Sequence, residues 1–588
     1  MQFDTVIKNG LIVDGARNPR WRGDIGIKDG VITRMGKISS TGTARVIDAT
    51  DLVVAPGFID LHTHYDAQIY WDPYLSTSGF HGVTSVVIGN CGFGFAPMTP
   101  ETRERAMQSM TRVEAIPLAT LKAALPWDWV SYPEYLDSMD RVPKALNILP
   151  YVPVNPILIW AMGFDAAKSG RMPTDAEHAE IARLLADAMD AGACGWSAQC
   201  LGTSGRPDLP TQGGTAQIDF DGSPMPSDVM WPETREVLAR VLAERGDGFI
   251  ALSMGLNNPE EWETLAEISG APLLWQALPP GGDDIGRGVR QYVLGWLAGL
   301  QQKGLRVYAQ GITQDPPLIF TFDYWDLWQA WNDVAGPMLD NATKLKNLAD
   351  PAVREMLRAA PMKYMFIDSI PDTRVHQTFS ESLKQYEGLR VSEIAEKTGK
   401  HPVDVVCDIV VEDGLRTIFE TRQFDTTLDG VKELIDSPYV IPGLSDGGAH
   451  LKYLTAGSYG TEFISEYVRK HAMTTLEEAH WRLSALPAFC AGFRDRGVLR
   501  EGAAADIIVY DYEGLAYTFP EFVRDLPGDE YRTMNRGSGY RYVLVNGEVT
   551  VKDDAPTHVY SGALLRNGRI RAKASKAAEP LSLREPFC

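Results

Sequence analysis

Eight short apolar runs of strand length, spread through the middle of the chain, limit its fold more than any other feature. They fall at 55–64, 84–92, 145–154, 194–199, 248–254, 272–278, 305–311 and 439–446. Longer stretches with helical signals separate them. One helix is marked at both ends: Thr174 and Glu177 form a capping box, the run continues through DAEHAEIARLLADAMDA, and Gly192 stops it. Strands alternating with helices over 56–490 predict an α/β protein, a (β/α)8 TIM barrel with insertions near 99–144 and 313–436. An open doubly wound sheet also accommodates eight strands, so the count alone leaves both architectures standing.

The two ends read differently. Residues 1–55 alternate β-type runs with the hairpin turns Asn9-Gly10, Asp14-Gly15 and Asp29-Gly30. The stretch 491–588 repeats the pattern in GAAADIIVYD (502–511) and YRYVLVNGEVTVKDD (540–554), with a second Asn-Gly at 546–547. A small sheet domain built from both termini around the barrel follows. The net charge of −21 repels nucleic acid and anionic membranes, which leaves a small molecule as the expected partner and a homo-oligomer as an open question. MQFDTVIKNG lacks the basic start and apolar run of a signal peptide. The best apolar stretch, 149–164, is broken by Pro153, Asn155 and Pro156, short of the roughly 20 residues of a membrane span. Six scattered cysteines form no disulfide framework. A cytoplasmic protein is expected.

At the end of the first predicted strand stands DLHTHYD (60–66). Residues i and i+2 of a strand face one side, so His62 and His64 would point together into the mouth of the barrel. A bare H-x-H is weak evidence for a metal. Its placement, between a β-rich segment and the first barrel strand, strengthens it.

Four segments together, APGFIDLHTHYD (55–66), HGVTSVVIGNCGFGFAP (81–97), GLSDGGAH (443–450) and RGVLREGAAADIIVYD (496–511), resemble the amidohydrolase superfamily, in particular its N-acyl-D-amino-acid deacylase (D-aminoacylase) branch. The resemblance implies a TIM barrel beside a β-sandwich made from both termini. It implies that His62 and His64 are first-strand metal ligands and Cys91 a second-strand ligand. Asp446 matches the eighth-strand aspartate that lies at the metal and acts as general base and then general acid. His450, four residues on, is a further catalytic candidate that would assist Asp446 or contact substrate. Outside that context Cys91 reads equally as a small buried hydrophobe and Asp446 as a helix cap.

The departures matter as much. The family places metal-ligating histidines at strands five and six; here those runs read GFIALSMGLNN and APLLWQALPP, with Ser253 and Gln276 near the expected points. No histidine occurs between His178 and His376, and the fourth run, CGWSAQC, lacks a lysine that could bridge two metals. A single Zn(2+) per chain, held by two imidazoles and one thiolate with a fourth position open to water, is the expected centre. The basic side chains that hold the substrate carboxylate in the deacylase branch are missing from the same two runs. Trp196, Trp275, Trp160 and the aromatic stretch IFTFDYWDLWQAW (319–331) suggest instead a bulky apolar or aromatic ligand, with Ser253 and Gln276 free to hydrogen-bond it. Hydrolysis of an amide or related C–N bond is the leading reading. A metal-dependent C–C lyase or decarboxylase, an N-acyl-D-amino-acid deacylase and a non-catalytic scaffold are the alternatives.

Overall fold

The computed structural model describes residues 3–202, 217–254, 259–324, 328–362, 369–422 and 426–566. Eight strand positions follow one another in parallel: Phe58–Asp60, Val83–Ile88, Asn147–Pro150 continued by Val152–Pro153, Gly195–Cys200, Phe249–Met254, Leu273–Leu278, Val307–Ile312 and Val440–Gly443. The last returns to the first through a parallel bridge between Thr63 and Gly447, which closes the ring. Closure separates this barrel from an open doubly wound sheet, which strand count could not do.

The run at 55–64 turns out to serve two sheets. Val53–Pro56 pairs with Thr5–Ile12 and Ile507–Tyr510, and the barrel strand starts only after Gly57. The adjoining Thr84 side chain lies where a Cβ on Gly57 would sit, so a side chain there would clash. Val53–Pro56 belongs to a continuous nine-stranded mixed sheet drawn from both termini. Its inward residues, among them Ile7, Ile25, Val54, Val509 and Leu544, share one core.

The helix Asp175–Ala191 carries the capping box foreseen: the Glu177 N–H donates to Thr174 Oγ1 at 3.3 Å and the Thr174 N–H to Glu177 Oε2 at 2.7 Å. Within 99–144 lie the helices Arg103–Glu114, Leu118–Ala124 and Tyr132–Arg141. Within 313–436 a three-stranded antiparallel sheet, Leu318–Phe320, Ile418–Thr421 and Arg374–Gln377, packs with helices around its own core. That core absorbs most of the aromatic stretch at 319–331. Phe320, Phe322, Trp328 and Trp331 are at most 2% exposed and pack edge-on or tilted against one another, while 325–327 lie outside the described residues. The described aromatics of the stretch pack in the core of the insertion and do not line the cavity at the metal centre. Among the described residues no helix is long and apolar enough to cross a membrane.

A buried polar joint fastens the terminal sheet to the barrel. Asp506 pairs with Arg496, accepts from Asn147 Nδ2 at 3.1 Å and from the Asn546 N–H at 2.7 Å, and Asn546 Nδ2 donates back to Asn147 Oδ1 at 2.7 Å. Asn147 opens the third barrel strand, so the joint spans both domains. Breaking one partner of a buried pair strands the other charge. Asp506→Asn is therefore expected to lower stability by about 3 kcal/mol, read as a shift of the urea unfolding midpoint against wild type.

Candidate metal centre

His62 and His64 lie just past the end of the first strand, flanking the Thr63 bridge, and both are buried. Cys91 follows the second strand in the turn Asn90–Gly92, at φ 56°. Asp446 and His450 lie in the loop after strand eight, each at φ 53°. Three side-chain-bearing residues in the left-handed region at one site cost about 1–3 kcal/mol each, and such cost concentrates where geometry serves function. The loop is held down where Gly448 (φ 88°) brings its backbone against His64, with a Cβ there falling 2.6 Å from the His64 carbonyl oxygen. The His64 N–H donates to the Gly447 carbonyl at 2.6 Å.

His62, His64 and Cys91 each aim one ligand atom at a common point, all within 4.8 Å of one another. His62 Nε2 stands 3.5 Å from Cys91 Sγ. Zinc–nitrogen and zinc–sulfur bonds of about 2.05 and 2.3 Å in a tetrahedron set those two atoms about 3.6 Å apart, so the donor set fits zinc in kind and in spacing. Asp446 is not a member of that mutually close group, yet its Oδ1 lies 3.2 Å from His62 Nε2 and 3.4 Å from His64 Nε2. Asp446 therefore stands beside the three donors, within reach of a metal held there or of water on that metal.

Electrostatics follow from burial. Burial pushes the Cys91 thiol well up, and the nearby Glu114 and Asp446 carboxylates push the same way. A metal must displace that thiol proton on binding. Burial also pushes the Asp446 carboxyl up, but hydrogen bonds from His62 and His64 and the charges of His62 and His450 outweigh it, holding the acid well below its ordinary range. Asp60, beneath the pair, is raised to about 7, chiefly by burial.

One residue of the site escapes any reading of the sequence. Glu114, last residue of the helix Arg103–Glu114, is 3% exposed and reaches in from the insertion. Its Oε1 lies 3.6 Å from His64 Nδ1, its Oε2 3.7 Å from His450 Nε2, and its carbonyl accepts the His450 N–H at 2.5 Å. His450 completes a chain, with Nε2 3.6 Å from Asp446 Oδ2 and Nδ1 2.9 Å from the Tyr453 hydroxyl. Nothing in TRVEA (111–115) marks a site residue.

Ser253 and Gln276 stand at the mouth as expected, joined in a polar network. Ser253 Oγ lies 3.7 Å from Cys91 Sγ and donates to Gln276 Oε1 at 3.2 Å; Gln276 Nε2 donates to Gln310 Oε1 at 3.1 Å and Asn90 Oδ1 at 3.3 Å. Trp196 and Trp275 do not join them. Successive strand residues face opposite ways, so with Ser197 bonded inward to Gly92 and Gln276 in the network, both tryptophans face the helices. Trp196 is 0% exposed and Trp275 packs edge-on against Trp262, both in the main core. The aromatic argument for the ligand therefore rests elsewhere, on a cavity of about 200 Å³ lined by Phe93, Met98, Met110, Val113, Trp160 and Met225. Phe93 sits near the centre, its ring 6.4 Å from that of His64. Lys168 at the cavity wall is neutralised by Asp219 and Asp221.

A carboxylate on the far nitrogen of a ligating histidine fixes its tautomer and direction, and its loss typically weakens metal binding about 10–100-fold. Glu114 stands 3.6 Å from His64 Nδ1 and acts on it through charge rather than a hydrogen bond, so Glu114→Gln is expected to lower zinc affinity by less than that range, measured by competition with a chromogenic chelator; an unchanged affinity would remove Glu114 from the centre.

Comparison with known proteins bears on the fold and the family. The chain is 27% identical to the N-acyl-D-glutamate deacylase of Alcaligenes xylosoxydans xylosoxydans, over 98% of this chain and 99% of that protein. It is 25% identical to the D-aminoacylase of the same organism over 96% and 97%, and 28% identical to an uncharacterized protein of Mycobacterium tuberculosis over 98% of each. The fold matches a crystal structure of D-aminoacylase at TM-score 0.65 and 22% identity, covering 96% of this chain and all of that one. It also matches an N-acyl-D-glutamate deacylase from Bordetella bronchiseptica, solved with zinc and a phosphonate inhibitor, at TM-score 0.63, 23% identity and the same coverage. The family model for the amidohydrolases matches residues 45–198 and 349–551, which include every residue of the His62–His64–Cys91–Asp446 group, and the chain belongs to the amidohydrolase family.

Proposed function

We propose that the protein is a mononuclear zinc hydrolase cleaving an amide or related C–N bond of a small molecule with a bulky apolar or aromatic part. The observation that carries this reading is the convergence of two imidazoles and a thiol beside the Asp446 carboxylate. Bound zinc would supply Lewis acidity toward the carbonyl and lower the pKa of the attacking water. Asp446 accepts the water proton at Oδ1 and returns it to the leaving nitrogen. A carboxylate is ionised at neutral pH, so Asp446 can accept that proton. His450 Nε2, within 3.6 Å of Asp446 Oδ2, steadies that carboxylate.

The apolar cavity beside Phe93 receives the bulky part of the substrate and excludes water from it. At about 30 Å³ per molecule, its 200 Å³ holds about six or seven waters, the room of a substituted ring. The paired state of Lys168 gives that cavity no free charge, which favours an apolar occupant over a carboxylate. Ser253 and Gln276 are placed to hydrogen-bond the scissile amide, without the charge that would clamp an acidic end.

Zinc analysis of purified protein is expected to give about one metal per chain, lost in His64→Ala and Cys91→Ala; two per chain would overturn the mononuclear centre. Asp446→Asn should keep the metal and lose about 10²–10⁴ in kcat. Arylacetyl amides should be turned over with a higher kcat/KM than acetyl amides, and reaction in ¹⁸O-water should label the released acid. Cleavage without label would point to C–C bond chemistry instead.

A further inference from the structure

A second cavity, of about 560 Å³, opens at the opposite end of the barrel. Tyr308 and Tyr439 line it at the N-terminal ends of strands seven and eight, whereas Asp446 follows the C-terminal end of strand eight. Its size lies within the range of small-ligand sites. Its composition is out of keeping with the chain: in a protein of net charge −21, four arginines, Arg17, Arg494, Arg496 and Arg500, line one cavity.

Two of the four are compensated. Arg17 donates twice to Glu478, at 2.6 and 2.8 Å, and its guanidinium lies 3.3 Å over the Trp481 ring. Arg496 is buried against Asp506 and Asp495. The other two are not. Arg494 and Arg500 are both exposed. Among the described residues Arg494 has no hydrogen-bonding or ionic side-chain partner, and Arg500 donates only to the Arg494 carbonyl, at 2.6 Å. Beside them Phe489 is 58% exposed, the most exposed large apolar side chain among the described residues. The cavity thus offers unpaired guanidiniums and uncovered aromatic surface together. A bare anion would leave Phe489 in water, and a neutral apolar molecule would leave both guanidiniums unpaired.

We propose that this cavity binds a small organic anion joining a phosphate or carboxylate to a flat apolar body, with Arg494 and Arg500 on the anion and Phe489 and Trp481 against the body. Guanidinium forks match both oxyanions, and stacking on a flat ring is open to Arg and aromatic side chains alike. The site is separate from the metal centre and independent of the reaction proposed there.

The test is calorimetric titration of the full chain with 1-naphthyl phosphate, inorganic phosphate and 1-naphthol. Naphthyl phosphate is expected to bind about ten-fold or more tighter than either fragment, and to weaken as salt is raised. The double variant Arg494→Gln/Arg500→Gln should lose that binding, and Phe489→Ser should weaken it. All three side chains are exposed, so both variants should keep the unliganded melting temperature. Absence of binding at millimolar naphthyl phosphate, equal binding by phosphate alone, or undiminished binding in the double variant would each overturn the proposal.

Discussion

The 2.6 Å bond from the His64 N–H to the Gly447 carbonyl is the contact on which the rest of the site depends. It joins the first and last strand positions of a parallel ring, and parallel rings close only if every strand keeps its register. The same contact brings the loop bearing Asp446 onto the loop bearing the two histidines. Gly448 is the enabling residue, since a side chain there would meet the His64 backbone. Barrel closure and assembly of the site are therefore one event: the DLHTHYD and SDGGAH segments each complete the other.

At strands five and six the barrel solves a different problem. Residues at the inner face of these ends are shielded from bulk water, and a buried polar group left unpaired is costly. Ser253 and Gln276 satisfy each other and extend to Gln310 and Asn90, so the positions where relatives are expected to carry histidines are occupied by a self-consistent amide network. An amide oxygen or hydroxyl is a weaker zinc donor than imidazole or thiolate. The network therefore leaves neutral hydrogen-bonding groups opposite the His62, His64 and Cys91 side.

What could be read from the sequence divides along physical lines. The eight strands, the terminal sheet and the capped helix at 175–191 rest on local pattern and carry through to the fold, whereas the convergence of His62, His64 and Cys91 is implied only by the family resemblance. The misreadings concern facing. Trp196 and Trp275 lie one residue from inward-facing Ser197 and Gln276, and a one-residue error in register reverses a side chain. The 319–331 aromatics looked like a binding surface because composition cannot tell a small satellite core from a lined mouth. Glu114 was invisible for a third reason. It reaches the centre from a helix of an insertion, and no spacing in the sequence links 114 to 64 or 450.

That last point bears on what likeness to known enzymes can say. The metal donors come from the barrel, whose frame is common to the family. The cavity beside them comes from the segment after strand two, the Arg103–Glu114 helix, the helix Val154–Met162 and Met225. Glu114 belongs to the same inserted helix that walls the cavity through Met110 and Val113. One element thus carries the carboxylate beside His64 and His450 and walls the apolar pocket at once. On the proposed function the barrel would set the reaction class and the inserted segments its selectivity, with Glu114 where the two meet.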